Sequence, residues 1–227
     1  MGSARRDHAG VPRYDRRGPV ESAGNASDFE LLDAWRRGDV RGGDALFRRY
    51  FAPISRFFRN KTDTGVEDLI QGTFLACVEG RDRFREASSF RTYLFGIAHN
   101  LLCAHYRRQR RAIDFEQTSV VDLGASPSGP LTRRDEQAAL LRALRAIPLD
   151  SQVVLELTYW EGMVAPEIAE VLGVPANTVR SRLSRARAAL RAALERGVAS
   201  PELLRSTLAD LDGWARQVRA ELGPADA

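Results

Sequence analysis

Glu167-Ile-Ala-Glu-Val-Leu-Gly173-Val-Pro-Ala-Asn-Thr-Val-Arg180-Ser-Arg-Leu-Ser-Arg-Ala-Arg187 reads as two helices joined by a tight turn, a helix-turn-helix. Pro166 suits a first helical turn, where its missing N–H costs nothing, and Ile168, Ala169 and Leu172 give that helix an apolar face. Gly173-Val174-Pro175 breaks it. In the second helix Val179, Leu183, Ala186, Leu190 and Leu194 fall on one narrow arc at about 100° per residue, so that arc must be buried. Opposite it lie Asn177, Ser181 and Arg185, flanked by Arg180 and Ser184, a face of donors and cations with no acidic residue. Such a helix fits the major groove, which admits one helix. Arg180 and Arg185 suit guanine O6 and N7, Asn177 suits adenine, and Arg182, Arg187 and Arg191 are placed for phosphates. A merely solvated arginine-rich helix would not explain why the Gly-Val-Pro turn and the acid-free face coincide.

Working outward, composition bounds what surrounds this motif. The chain has 227 residues, enough for two small domains, with 44% hydrophobic and 28% charged residues. Its 34 basic residues are nearly all Arg, yet the net charge is only +4 and the pI about 9.5, so the cations are clustered. That balance favours a polyanion bound at patches, with room for protein partners. No run is long and apolar enough for a membrane span, and the first 26 residues lack a signal-peptide core, which predicts a cytoplasmic protein. Cys77 and Cys103 read as reduced, packed thiols. His99, Cys103 and His105 share one helix, but with no further ligand cluster neither metal nor cofactor is expected.

The rest of the chain reads as helices. Residues 1–26 form a predicted disordered tail. Order begins at Ser27, with Glu30 completing a capping box for a helix that carries Leu31, Leu32 and Trp35 and ends at Gly38-Asp39. The next helix brings Leu46, Phe47, Tyr50, Phe51, Ile54, Phe57 and Phe58 to a core. Over residues 66–78, Ile70, Phe74, Cys77 and Val78 point one way, while Asp68, Gln71 and Leu75 share another side, suited to a partner with a cationic edge or simply to solvent. A charged loop around Phe84 follows, then Ser88 or Ser89 caps a long helix with Phe90, Leu94, Ile97 and Leu101. It ends in Tyr106-Arg107-Arg108-Gln109-Arg110-Arg111, four cations for a nucleic-acid backbone beside a ring for stacking a base. Residues 112–134 read as an acidic linker, and 135–196 as a second domain containing the helix-turn-helix. In 197–227 a last helix carries the stripe Leu204, Leu208, Leu211, Ala215, Val218 and Leu222, which is expected to pack either on the back of the helix-turn-helix, as part of its core, or on the first domain, where it would hide the DNA-reading face, the second being favoured. The fold class is therefore all-α: two helical domains, a flexible linker and a C-terminal helix.

Together the two halves resemble bacterial sigma factors of the sigma-70 family, in the small extracytoplasmic-function (ECF) group, over roughly residues 27–196. The resemblance rests on Asp68-Leu-Ile-Gln71-Gly-Thr-Phe74, on the Phe84 loop, and on Phe90-Arg-Thr-Tyr-Leu-Phe-Gly-Ile-Ala98-His-Asn100 running into the Arg cluster, which look like region 2. Ile147-Pro148, Glu167-Ile-Ala169 and Asn177-Thr-Val-Arg-Ser-Arg182 look like region 4. It implies that Asp68, Gln71, Phe74 and Leu75 dock on the clamp helices of core RNA polymerase, with the flap as a second contact. Phe84, Asn100, Arg107, Arg108, Arg110 and Arg111 would serve the minus-10 element, and Asn177, Thr178, Arg180, Ser181, Ser184, Arg185 and Arg187 the minus-35 element. An anti-sigma factor is the implied regulatory partner. Departures from the pattern are Tyr93 for a usual Trp, His99 for Arg, Ala104 for Asp, and Gly72 for an acid, the last weakening its helix by about 1 kcal/mol relative to Ala.

No paired carboxylates, phosphate-cradling Gly loop or nucleophile-base pairing is visible, so no enzyme activity is expected. The alternative function is a free-standing, dimeric helix-turn-helix repressor or activator with a sensing first half. A more distant one is an RNA-processing enzyme, which lacks acidic metal ligands here.

Overall fold

A computed structural model describes residues 26–84, 88–109, 116–119 and 135–197. The predicted tail, most of the linker, Arg110, Arg111 and the predicted last helix lie outside them. Among the described residues there are eight helices and no strands.

The first helix, α1 (Asp28–Arg36), starts on the expected capping box: Glu30 N–H donates to Ser27 Oγ at 3.3 Å, and Ser27 N–H donates to the Glu30 carboxylate at 2.7 Å. The Ser27 N–H and then its hydroxyl, both donating to the Glu30 carboxylate, lower the Glu30 pKa by favouring the ionised form. Asp39 caps α2 (Val40–Arg59), which buries Leu46, Tyr50, Ile54, Phe57 and Phe58. The two helices approach closely because Gly42 has no side chain; a Cβ there would collide with the Leu31 carbonyl oxygen and lie 3.0 Å from Trp35 N. Then come α3 (Val66–Gly80) and α4 (Phe90–Gln109), the latter started by Ser89 Oγ accepting from Thr92 N–H at 3.0 Å. Phe90, Leu94, Phe95, Ala98, Leu102 and Tyr106 face inward from α4. Gly72 has no packing reason to lack a side chain, since a Cβ there would meet only Leu101 Cδ1 at an ordinary 3.5 Å.

The second half contains α5 (Asp135–Arg145), α6 (Leu149–Tyr159), α7 (Ala165–Leu172) and α8 (Ala176–Gly197). Gly173 ends α7 in the left-handed region, φ +65°, which an L side chain adopts only under strain, so the turn depends on this glycine. Val179, Ala186, Leu190 and Leu194 are buried on α8, as their spacing requires, and Leu183 is half-buried.

The sequence does not disclose how the halves meet. The apolar core of α1–α4 continues without a break into Leu149, Val153, Val154, Leu157, Met163, Ile168, Val171 and Val179. A smaller cluster, including Leu140, Leu144, Ile147, Leu155, Trp160 and Leu190, holds α5 against α6 and α8. Helix α6 is buried nearly all round, from Leu149 through Leu157 with only Asp150 and Ser151 less than buried, as befits a helix between two layers. Val153 and Leu157, which alone would suit a core within the helix-turn-helix, thus serve both halves. Four residues of the linker are also fixed: Ser119 forms an antiparallel bridge with Pro148, and Leu149 N–H donates to Thr118 O at 2.9 Å.

Candidate nucleic-acid and partner interfaces

On α8, Asn177, Arg180, Ser181, Ser184, Arg185 and Arg187 are exposed and Thr178 is half-exposed, with the buried arc behind them. Arg180 donates to Asn177 Oδ1 at 2.6 Å, which orders both ends of the face. Arg187 donates to Tyr159 Oη at 2.7 Å and its guanidinium lies 5.6 Å from that ring's centre, so it is held at the edge. The expected phosphate role of Arg182 does not fit this structure. Its side chain is only 14% exposed, bridging Glu116 at 2.6 Å and Asp150 at 2.9 Å. It follows Arg180-Ser181 on a rotated face of the helix, toward α6 and the linker, where two acids neutralise it.

On α3, Asp68 and Gln71 are exposed and Leu75 is 56% exposed, unusual for a leucine. Phe74 is half-buried, 4.7 Å from Phe47 and stacked on Phe51 at 6.3 Å between ring centres. Phe51 and Val78, read from spacing as core, are instead 51% and 36% exposed. They lie at the edges of their apolar arcs, and with Leu75 they leave a ridge of exposed apolar side chains on α2 and α3. A ridge of this kind marks a protein interface more sharply than any of its residues alone.

Phe84, in the charged loop expected to serve the minus-10 element, is buried. It packs on Tyr93 at 4.6 Å and on Phe90 at 6.4 Å, and the Arg36 guanidinium holds the carbonyls of Arg81 and Phe84. Beside it Ala76, Glu79, Gly80, Arg83, Phe84 and Tyr93 line a cavity of about 290 Å³. Gly80 is required there, because a Cβ would overlap the Tyr93 hydroxyl. Asn100, Arg107 and Arg108 are exposed along α4. Tyr106, expected as a stacking ring, is buried and donates its hydroxyl to the Lys61 carbonyl; burial pushes that phenol up to about 12.

His99, Cys103 and His105 do not converge. His99 Nε2 lies 3.6 Å from Cys103 Sγ, whereas His105 Nε2 faces Thr62 Oγ1 at 3.4 Å, and no potential metal cluster of three ligands occurs among the described residues. Burial, aided by the charges of Lys61 and Arg182, pushes His99 down to about 4. A neutral folded imidazole that charges on unfolding contributes stability above the unfolded pKa of 6.5 that is lost as pH falls toward 4. Denaturant titrations at pH 7.5 and 5.5 should show wild type losing about 1 kcal/mol more than His99→Gln on acidification. An unchanged difference between the two proteins would show that His99 is free to protonate in place.

The structure combines a helix-turn-helix whose exposed face carries cations and hydrogen-bond donors with a helical body that exposes a separate apolar ridge. The sequence matches Sigma-70 region 2 over residues 46–112 and Sigma-70 region 4 over residues 137–190. It is 31% identical over 183 residues to the RNA polymerase sigma-H factor of Pseudomonas aeruginosa, covering 74% of this chain and 94% of that protein. It is 27% identical over 176 residues to the ECF RNA polymerase sigma-E factor of Escherichia coli K12, covering 72% and 92%. The solved structure of CnrH in complex with the cytosolic domain of CnrY has a TM-score of 0.58 at 28% identity, covering 76% of this chain and all of that one. The chain belongs to the sigma-70 family, in its ECF group, and is a promoter-recognition subunit of RNA polymerase.

Proposed function

We propose that α8 reads the minus-35 element through Asn177, Thr178, Arg180, Ser181, Ser184 and Arg185, with Arg187 on flanking phosphates. The single observation that carries this is the acid-free exposed face formed by Asn177, Arg180, Ser181, Ser184 and Arg185 opposite the buried arc of Val179, Ala186, Leu190 and Leu194. Asn100, Arg107 and Arg108, continued by Arg110 and Arg111 in sequence, serve the minus-10 region. Phe84 enters as a wall of the neighbouring cavity, which admits a base, and not as an exposed stacking ring. Asp68, Gln71, Leu75 and the ring of Phe74 dock on the polymerase clamp helices, and the second half meets the flap.

No catalytic step is assigned to the chain, whose work is positioning. No described helix is long and apolar enough to cross a membrane. A cytoplasmic location belongs to the same proposal, since polymerase and promoter DNA are found there. The similarity to CnrH, solved with the cytosolic domain of CnrY, supports a protein antagonist of the anti-sigma kind for this chain as well.

The test is promoter binding by reconstituted holoenzyme on a library of minus-35 variants. Arg180→Ala should cost about 1 to 3 kcal/mol at one base position and relax preference there. Arg191→Ala should weaken all sequences alike and lower the salt slope by about one contact. Equal losses on every sequence from both variants would remove the assignment of the reading face.

A further inference from the structure

The cations of α8 are not equivalent. Arg182 is bridged by Glu116 at 2.6 Å and Asp150 at 2.9 Å, so its charge is balanced within the protein. Arg187 is held by a neutral group instead. Its Nε–H donates to the Tyr159 hydroxyl at 2.7 Å, and its guanidinium carbon lies 5.6 Å from the centre of the Tyr159 ring, within cation–π reach. Among the described residues no carboxylate pairs with Arg187, which is exposed. A hydroxyl and a ring fix the direction of a guanidinium without cancelling its charge, and a polyanion requires both the direction and the charge.

Tyr159 is well placed to act as a support. It is the last residue of α6 and is half-buried, packed against the apolar cluster that joins α5, α6 and α8. Trp160, the next residue, is buried in that cluster, and its N–H closes the last turn of α6 on Glu156 O at 2.8 Å. A short side chain seated on a packed helix end is a firm anchor for a long, flexible one. Arg187 stands ten residues beyond Asn177, which at about 100° per residue puts it about 80° round α8, between the reading face and the buried arc. At that angle a helix lying in the major groove meets the sugar-phosphate wall and not the base edges.

We propose that Tyr159 is a positioning residue for promoter binding: by engaging Nε of Arg187 it leaves the two terminal nitrogens to close on a backbone phosphate beside the minus-35 element. The proposal rests on the reading of Arg187 as a phosphate contact. A guanidinium can grip an anion side-on through Nε and one Nη, or end-on through both Nη groups. With Nε held by Tyr159, the end-on grip remains. The side chain is also ordered before DNA arrives, so less rotamer freedom is lost on binding than for an unsupported arginine. Since every sequence carries the same phosphates, Tyr159 acts on affinity and not on base preference. Helix α6, which lies outside the helix-turn-helix, thereby contributes to DNA binding.

The experiment is equilibrium binding of reconstituted holoenzyme, over a range of salt concentrations, to a labelled duplex that the wild-type holoenzyme selects from the minus-35 library. Tyr159→Phe keeps the ring and its packing and removes the acceptor. It should weaken binding about fivefold on every library sequence, with the salt slope and the melting temperature of the free chain unchanged. Arg187→Ala should weaken binding about tenfold and lower the salt slope by about one contact. Adding Tyr159→Phe to Arg187→Ala should cost nothing further, because the support then has nothing to hold. A tyrosine that only fills space would lose the same affinity with or without the arginine. Arg187→Lys, which leaves Tyr159 intact, should keep the salt slope and lose about fivefold, since an ammonium is a point charge without the fork. Wild-type binding by Tyr159→Phe, or an equal loss in the presence and absence of Arg187, would overturn the positioning role. An unchanged salt slope in Arg187→Ala would overturn it as well, by removing the phosphate contact. Failure of the α8 reading face appears elsewhere, in the base preference of Arg180→Ala, whereas the Tyr159 effect is uniform across sequences.

Discussion

Leu75→Arg should weaken binding to core polymerase about a hundredfold, close to 3 kcal/mol, while leaving the melting temperature of the free chain almost unchanged. The side chain is 56% exposed and lies beside Phe51 and Val78 on the α2–α3 ridge, so no core contact is lost on replacing it. Arginine would put a cation among exposed apolar side chains, and it would have to be desolvated on docking. The measurement is a titration of labelled chain with core enzyme, with Leu75→Met as the control that keeps shape and apolarity. Asp68→Ala/Gln71→Ala should weaken binding less, because rim charges contribute mainly to the rate of encounter. Full-strength binding by Leu75→Arg would move the docking surface elsewhere on the molecule.

Gly42→Val should destabilise the chain by about 4 kcal/mol. The glycine is where α2 crosses α1, and the atoms that a Cβ would meet are backbone: the Leu31 carbonyl and Trp35 N. Backbone within a capped helix cannot swing aside as a side-chain tip can, so α1 must shift and pull Leu31, Leu32 and Trp35 out of the core. Equilibrium denaturation would show it as a lower midpoint. Gly96→Val is the matched comparison, since the space around a Cβ at Gly96 is open. Equal losses at the two positions would mean that helix propensity, and not the close crossing, sets the cost.

What the sequence made legible was local. The capping box at Ser27, the Gly173 turn and the α8 arc each depend on residues within a few turns of one another, and each stands where its spacing puts it. The exposed side of α3 follows from the same arithmetic. Positions at the edge of an arc were misjudged: Phe51 and Val78 share helical spacing with core residues, yet no neighbouring element covers them among the described residues. Phe84, Tyr106 and Arg182 went the other way. A ring in a charged loop, a ring beside arginines and an arginine on a reading helix all look available until α4, α2 and the linker supply carbonyls, rings and acids around them. The seam between the halves was out of reach, because the pairing of Lys61, the chain's one lysine, in a turn just past α2, with Glu156 of α6 joins residues far apart in sequence. A hint was present in α6, where Val153, Val154, Leu155 and Leu157 cover more of the helix than one buried face needs.

The two attachments of the linker set a limit on travel. From Gln109 to Glu116 the chain can reach at most about 25 Å, whereas from Gln109 to Asp135 it can reach about 90 Å. As long as Glu116 stays on Arg182 and Ser119 on Pro148, the chain between the halves is a short leash. Extension and charge are thereby coupled: paying out the leash strips Glu116 from Arg182, so the recognition helix gains positive charge only at full stretch.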